Sequence, residues 1–209
     1  MNKILIYYRP LVIGFILATQ LVEQVTQIIN CDAGLCLARN KNLTIQVNYA
    51  AAIWLLLNLI NQGDQVLLNK LKGKIHGGLT VYMVFVTVAY HVLLSSGDPY
   101  FWTFTNLSQH YIAPILFLLD WFISNDVSYD YSFLKSWLIY PSLYLVFALT
   151  NGVLGLSSNT GSSYIYGFLN FEEFGFIAVL TVVIAVYILL IILSVLSIFL
   201  SKKLNKNIN

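Results

Sequence analysis

The chain has 209 residues, 58% of them hydrophobic and only 10% charged, with a mean hydropathy of +0.76. Soluble domains carry about a quarter charged residues, so this composition excludes a soluble globular protein and points to one integral to a membrane. A formal net charge of +2, with no Lys/Arg cluster interleaved with aromatics, gives no footprint for nucleic acid.

Six apolar stretches reach the roughly 20 residues needed to cross a bilayer. The first, 4–25, contains Arg9-Pro10 and is followed by no small-x-small cleavage site, so it reads as a retained helix rather than a signal peptide. The others fall at 43–62, 75–95, 105–124, 135–156 and 174–201, the last being the purest and longest. Connections are short, which predicts an all-α, polytopic, six-helix bundle occupying 1–209 as a single domain. With the N-terminus inside, one face collects Lys3, Arg9, Lys70, Lys72, Lys74, Lys135, Lys202, Lys203 and Lys206, against Arg39 and Lys41 opposite. The positive-inside rule then places both termini in the cytoplasm, and the Asn-, Ile- and Tyr-rich usage is compatible with a bacterial cytoplasmic membrane. Cys31 and Cys36 share the first outer loop, where they form either a local disulfide or two free thiols.

Polar residues gather at the outer ends of the helices. Helix two enters through KNLTIQVNYAAA, and at helical spacing Thr44, Asn48, Ala51, Leu55, Asn58 and Gln62 form one stripe. That stripe should face protein, because unsatisfied polar groups in hydrocarbon are costly; Gln46 points to a different neighbour. Helix four enters through FTNLSQHYIAPILFLLDW, with His110 one to two turns in and Pro114 loosening the helix beside it. Asp120 is about 15 Å deeper and out of reach of His110. Helix one ends outward with Gln20, Glu23, Gln24 and Gln27, helix three with Thr87, Tyr90 and His91. The loop 157–173, which carries SYIYGFLNFEE, is expected to lie over the mouth of the bundle.

Many such groups serve as contacts between membrane helices, and Asn58 and Asp120 are read as structural polar residues. His76 is expected to be solvated at the cytoplasmic edge beside Lys74, and His91 is either a site member or an interfacial anchor. No HExxH, paired-cysteine or GxSxG motif occurs, and neither a metal nor a cofactor is implied. What remains is a hydroxyl and an imidazole at matching depth on helices able to face each other: Thr44 and His110. A threonine hydroxyl needs an adjacent base to become a nucleophile, and a histidine can take that proton and return it to a leaving alcohol. Asn48, Gln46 or a loop tyrosine could donate to the developing oxyanion. A cavity at this depth would admit acyl chains from the membrane, so lipid esters are the expected substrates and membrane lipids the expected partners. Glu23, Gln24, His91 and Tyr166 are candidates for a third member of the site.

The run LTIQVNYAA followed by HYIAPILFLLDW resembles the androgen-induced and androgen-dependent TFPI-regulating proteins and their bacterial six-helix relatives. YIYGFLN at 164–170 and LIYPSLYLVFALTNG at 138–152 extend the similarity over most of the chain, as scattered short motifs. The resemblance implies an intramembrane threonine hydrolase of fatty-acid esters of hydroxy fatty acids. Thr44 would be its nucleophile and His110 its histidine, with Asp120 at the acidic position ten residues on. Val47, Gly167 and Asn170 depart from the family's usual serine, proline and acid. Two other functions fit the same residues: a lipid- or partner-binding membrane module without turnover, and a small transporter using Asp120 and Glu23 for coupling.

Overall fold

A computed structural model describes residues 3–30, 38–60, 65–124, 128–156 and 163–206. Cys31, Cys36 and Gln62, named above, lie outside them. The described residues form helices and no strand: α1 (Lys3–Ile29), α2 (Leu43–Ile60), α3 (Gln65–Leu93), α4 (Phe104–Leu107), α5 (Ala113–Ser124), α6 (Phe133–Val153) and α7 (Phe171–Lys206). α4 and α5 are joined without a break by a π turn, Ser108–Ile112, and act as one composite rod. Short 3-10 turns, Ala38–Lys41 and Gly167–Leu169, lead into α2 and α7.

α1, α2, α3, α6 and α7 are each long and apolar enough to cross a membrane. Each of the six apolar stretches seen in the sequence is helical over most of its described residues. The largest boundary difference is in α3, which starts ten residues before the expected 75 because the polar, Lys-bearing QVLLNKLKGK segment continues the helix below the apolar run. α7 is broken near its start by Gly175, whose φ of 77° is a left-handed conformation that a side chain would disfavour. Its first turn, with Glu172 and Glu173, is therefore offset from the long apolar rod.

α1, α2, α3 and the composite rod close into a ring in which each element packs against two others. α6 and α7 then lie against α3 on the far side from α1. The predicted stripe of α2 forms part of the ring's interior: Thr44, Asn48, Ala51, Leu55 and Asn58 are all buried. Outward faces carry large apolar residues, among them Ile177, Ile184, Ile188 and Ile192 of α7 and Leu143 and Val146 of α6, all exposed. An exposed apolar belt of this extent suits acyl chains as solvent. α3 and α6 approach closely because Gly77 and Gly78 leave room for Trp137; a Cβ on Gly77 would sit 2.5 Å from Trp137 Cζ2.

Prolines inside helices leave carbonyls without donors, and in hydrocarbon another group must serve them. Pro141 in α6 cannot donate to the carbonyl of Trp137, and Tyr82 of α3 reaches across to do so at 2.6 Å. The same device recurs at the site described below.

At the end of the ring far from Thr44, Asp120 is fully buried and bound by Arg9, whose Nε and Nη2 lie 2.8 and 3.2 Å from the two carboxylate oxygens. His76 Nε2 is 3.3 Å from Asp120 Oδ2, and its side chain is also buried. This corrects two expectations. His76 is not solvated at an edge, because the buried Asp120 carboxylate gives the imidazole a partner inside the ring. Arg9, counted among the cytoplasmic charges, is instead held within the bundle by Asp120. Asp120 thus sits in a buried ion pair, and Asn58 donates to the carbonyl of Trp54 in its own helix at 2.8 Å.

Candidate active site

Thr44 stands in the first turn of α2, and His110 in the middle of the π turn. Thr44 Oγ1 and His110 Nε2 are 3.2 Å apart, and the other ring nitrogen, Nδ1, lies 3.1 Å from the backbone carbonyl of Asn106. A carbonyl can only accept, so the proton is on Nδ1 and the lone pair is on Nε2. The Thr44 hydroxyl is then the donor to Nε2. This is the tautomer a general base requires, fixed here by a main-chain oxygen where other sites use a carboxylate. Tyr90 of α3 stacks on the imidazole, with centroids 3.8 Å apart and planes inclined by 23°, and so sets the plane of the ring. Its own hydroxyl donates to Asp98 Oδ2 at 2.6 Å and accepts from Asn106 Nδ2 at 2.6 Å.

The local backbone explains why these side chains are where they are. The Ala113 N–H bonds five residues back, to the carbonyl of Ser108, and Pro114 has no N–H. The carbonyls of Gln109 and His110 therefore lose their regular donors. Asn48 Nδ2 supplies one to Gln109 at 3.2 Å, and Thr87 Oγ1 supplies one to His110 at 2.7 Å. Asn48 also donates to the carbonyl of Thr44 at 2.8 Å. Its amide thus ties the backbone of the hydroxyl residue to that of the imidazole residue. Asn48 is committed as a brace, which leaves neither amide proton for an oxyanion.

Gln46 is committed elsewhere too. Its Nε2 donates to the carbonyls of Asn40 and Lys41 at 3.3 and 3.2 Å, and its Oε1 accepts from Tyr140 of α6 at 2.8 Å. Glu23 is buried and paired with Arg39 Nη1 at 2.9 Å, while Gln24 and Asn40 exchange amide hydrogen bonds of 2.6 and 2.9 Å. Both clamp the end of α1 to the turn before α2. His91 is exposed, and its Nδ1 lies 3.0 Å from Tyr111 Oη. Of the two readings left open for it, this position favours the interfacial anchor.

Tyr166 is brought to Thr44. Its hydroxyl accepts from the N–H of Leu43 at 3.1 Å and is also hydrogen-bonded to the hydroxyl of Tyr144. Burial pushes this phenol's ionisation up, so it stays a donor. Thr44 is also the second residue of α2, where N–H groups lack acceptors within the helix and the helix dipole is positive. Tyr166 and Thr44 both line one cavity at the head of α2. Sequence reasoning missed Tyr90, Thr87 and Asn106 as parts of this constellation. For Thr87 the signal was available: a threonine on a neighbouring helix can serve a carbonyl that Pro114 leaves without a donor.

The cavity that Thr44 helps to wall has about 760 Å³ of empty space, including its mouth. The cavity lies among α3, α6, α7 and the head of α2, with Tyr166 and Leu169 at one end and Pro141 and Leu190 at the other. Its wall is almost wholly apolar, and Tyr90 lines it beside Thr44. From Val182 to Leu190 along α7 is about 12 Å at helical rise, so the space is elongated along the helices. No protein-family model, curated protein or solved structure matches this chain.

Proposed function

We propose that the protein is a multi-pass membrane hydrolase of lipid esters of the fatty-acid-ester type, with Thr44 as nucleophile and His110 as base. The observation that carries this reading is the Thr44 Oγ1–His110 Nε2 hydrogen bond, with the Nδ1 proton held by Asn106, at the edge of an apolar, elongated cavity. An ester whose acyl chain fills the cavity would present its carbonyl at Thr44. The Oγ1 proton passes to His110 Nε2 as the oxygen bonds to the carbonyl carbon. Negative charge on the carbonyl oxygen is met by the Tyr166 hydroxyl and the first N–H groups of α2. His110 then returns the proton to the departing alcohol, leaving an acyl-Thr44 that water hydrolyses. The resemblance of LTIQVNYAA and HYIAPILFLLDW to the family of intramembrane threonine hydrolases would imply the same assignment. In this reading the composite rod is a sixth span and both termini lie on the cytoplasmic side of a bacterial membrane.

A lipid-binding module without turnover is favoured by one feature, the nearly unbroken apolar wall of the cavity. Transport gains less support, because Asp120 is neutralised by Arg9 and Glu23 by Arg39. Detergent-purified protein treated with a fluorophosphonate or activated-carbamate probe separates these readings. Labelling of wild type that is lost in Thr44→Ala and His110→Ala, with melting unchanged, is the expected result. No labelling of a well-folded wild type would overturn the hydrolase reading in favour of lipid binding.

A further inference from the structure

The apolar cavity would be filled by an acyl chain, which leaves the water consumed in hydrolysis without an evident place. Four buried side chains, on α1, α2 and the π turn, have polar atoms with no partner among the described residues. They are both amide atoms of Gln20, Oδ1 of Asn48, Oγ of Ser108 and Nε2 of Gln109. None is more than 3% exposed. In a protein interior such atoms are normally bonded, and leaving each unmade costs a substantial part of its hydration.

The four come from elements that meet. α1 packs against both α2 and the π turn, and Asn48 Nδ2 already bonds to the carbonyl of Gln109. Cross-links fix the level of Gln20. Gln24, one turn above it, pairs with Asn40 just before α2. Gln20 therefore lies beside the first turn of α2, on the helix that also packs against the π turn. A buried water makes about three hydrogen bonds, and an amide, a hydroxyl and two further amide atoms offer both donors and acceptors for it.

We propose that Gln20, Asn48, Ser108 and Gln109 form a polar site that holds the hydrolytic water behind Thr44 and His110. This rests on the hydrolase reading. In the step it serves, the water oxygen bonds to the acyl carbon of acyl-Thr44 while its proton goes to His110 Nε2. The intermediate then collapses, the bond from the acyl carbon to Thr44 Oγ1 breaks, and His110 returns the proton to Oγ1. A free carboxylic acid and the original hydroxyl result. Gln20 is a positioning residue here, since it touches the water and not the acyl group.

The test uses p-nitrophenyl octanoate with the full-length protein in detergent. Gln20→Leu should release its first equivalent of p-nitrophenolate at the wild-type rate but turn over at least tenfold more slowly, with acyl-Thr44 accumulating by intact mass spectrometry. Gln20→Glu, which still binds water, should recover most of the turnover, and Gln109→Met should repeat the Gln20→Leu pattern. Unchanged turnover, or acylation and deacylation falling together with melting intact, would overturn the proposal. Should either leucine or methionine variant fail to fold, a structure of wild type resolving ordered water decides the site: density bonded to Gln20 and Gln109 supports it, and its absence overturns it. If wild type releases no p-nitrophenolate and no variant forms an acyl adduct, the hydrolase reading itself fails. Ordered water seen beside Gln20 would then support the binding site without its catalytic role.

Discussion

The sharpest consequence of the helix geometry concerns Thr87, which touches neither Thr44 nor the cavity. Thr87→Val keeps the side chain's shape but removes the 2.7 Å hydrogen bond to the carbonyl of His110. Pro114 supplies no N–H to that carbonyl, so it is left without a donor in an apolar interior. An orphaned buried group costs about 1–3 kcal/mol, while side-chain bonds between membrane helices average about 0.6 and reach about 1.7 kcal/mol. A loss of about 1–2 kcal/mol in unfolding free energy is expected. Pro114→Ala restores an N–H able to reach His110 four residues back. In that background Thr87→Val should cost at most a few tenths of a kcal/mol, a coupling of about 1 kcal/mol in a double-mutant cycle. Reversible unfolding in mixed detergent, followed by tryptophan fluorescence, measures all four proteins. If Thr87→Val is equally destabilising with and without Pro114, the reasoning about the missing donor is wrong.

Other outcomes follow from single contacts. Asp120→Asn leaves Arg9 buried without its carboxylate and should destabilise by about 3–5 kcal/mol, read as a large fall in melting temperature; adding Arg9→Met should recover much of it. Gly152→Ala would drive a Cβ into the ring of Tyr164, shifting the segment that holds Tyr166. Ester turnover should fall about tenfold or more, with a stability loss of about 1–3 kcal/mol from overpacking, measured by hydrolysis and melting of the same preparation. If the hydrolase proposal holds, Tyr166→Phe removes the proposed phenol donor to the oxyanion and should lower turnover by about 10²-fold while leaving probe binding in the cavity unchanged.

Much of this arrangement was legible in the sequence. Segment length and hydropathy locate all six helices, since an apolar run of span length has few other solutions, and helical spacing correctly turned the Thr44–Asn58 stripe inward. Pairing Thr44 with His110 needed only their matching depth. What the sequence could not reveal was partnership between distant charges. Arg9 reads as a loop cation and His76 as an edge residue until Asp120, more than a hundred positions from Arg9, is seen between them. The roles of Gln46 and Asn48 were likewise hidden. A free amide in the first turn suits an oxyanion, and only the positions of the Asn40, Lys41, Thr44 and Gln109 carbonyls show that the amide protons of both side chains are already engaged.

Asn48 also shows why the irregular backbone and the chemistry belong together. A regular α-helix through 108–114 would satisfy its own carbonyls and offer nothing for α2 and α3 to hold. The π turn and Pro114 free two consecutive carbonyls, and the side chains that answer them, Asn48 and Thr87, come from the two helices flanking His110. The imidazole is thereby located by bonds to the main chain on either side of it, and its Nδ1 partner is a main-chain carbonyl and not a carboxylate. In a low-dielectric interior that matters, because a carboxylate placed beside His110 would need its own compensation. The one carboxylate on this rod, Asp120, is placed a depth away and matched by Arg9, which keeps its charge out of the hydroxyl–imidazole chemistry.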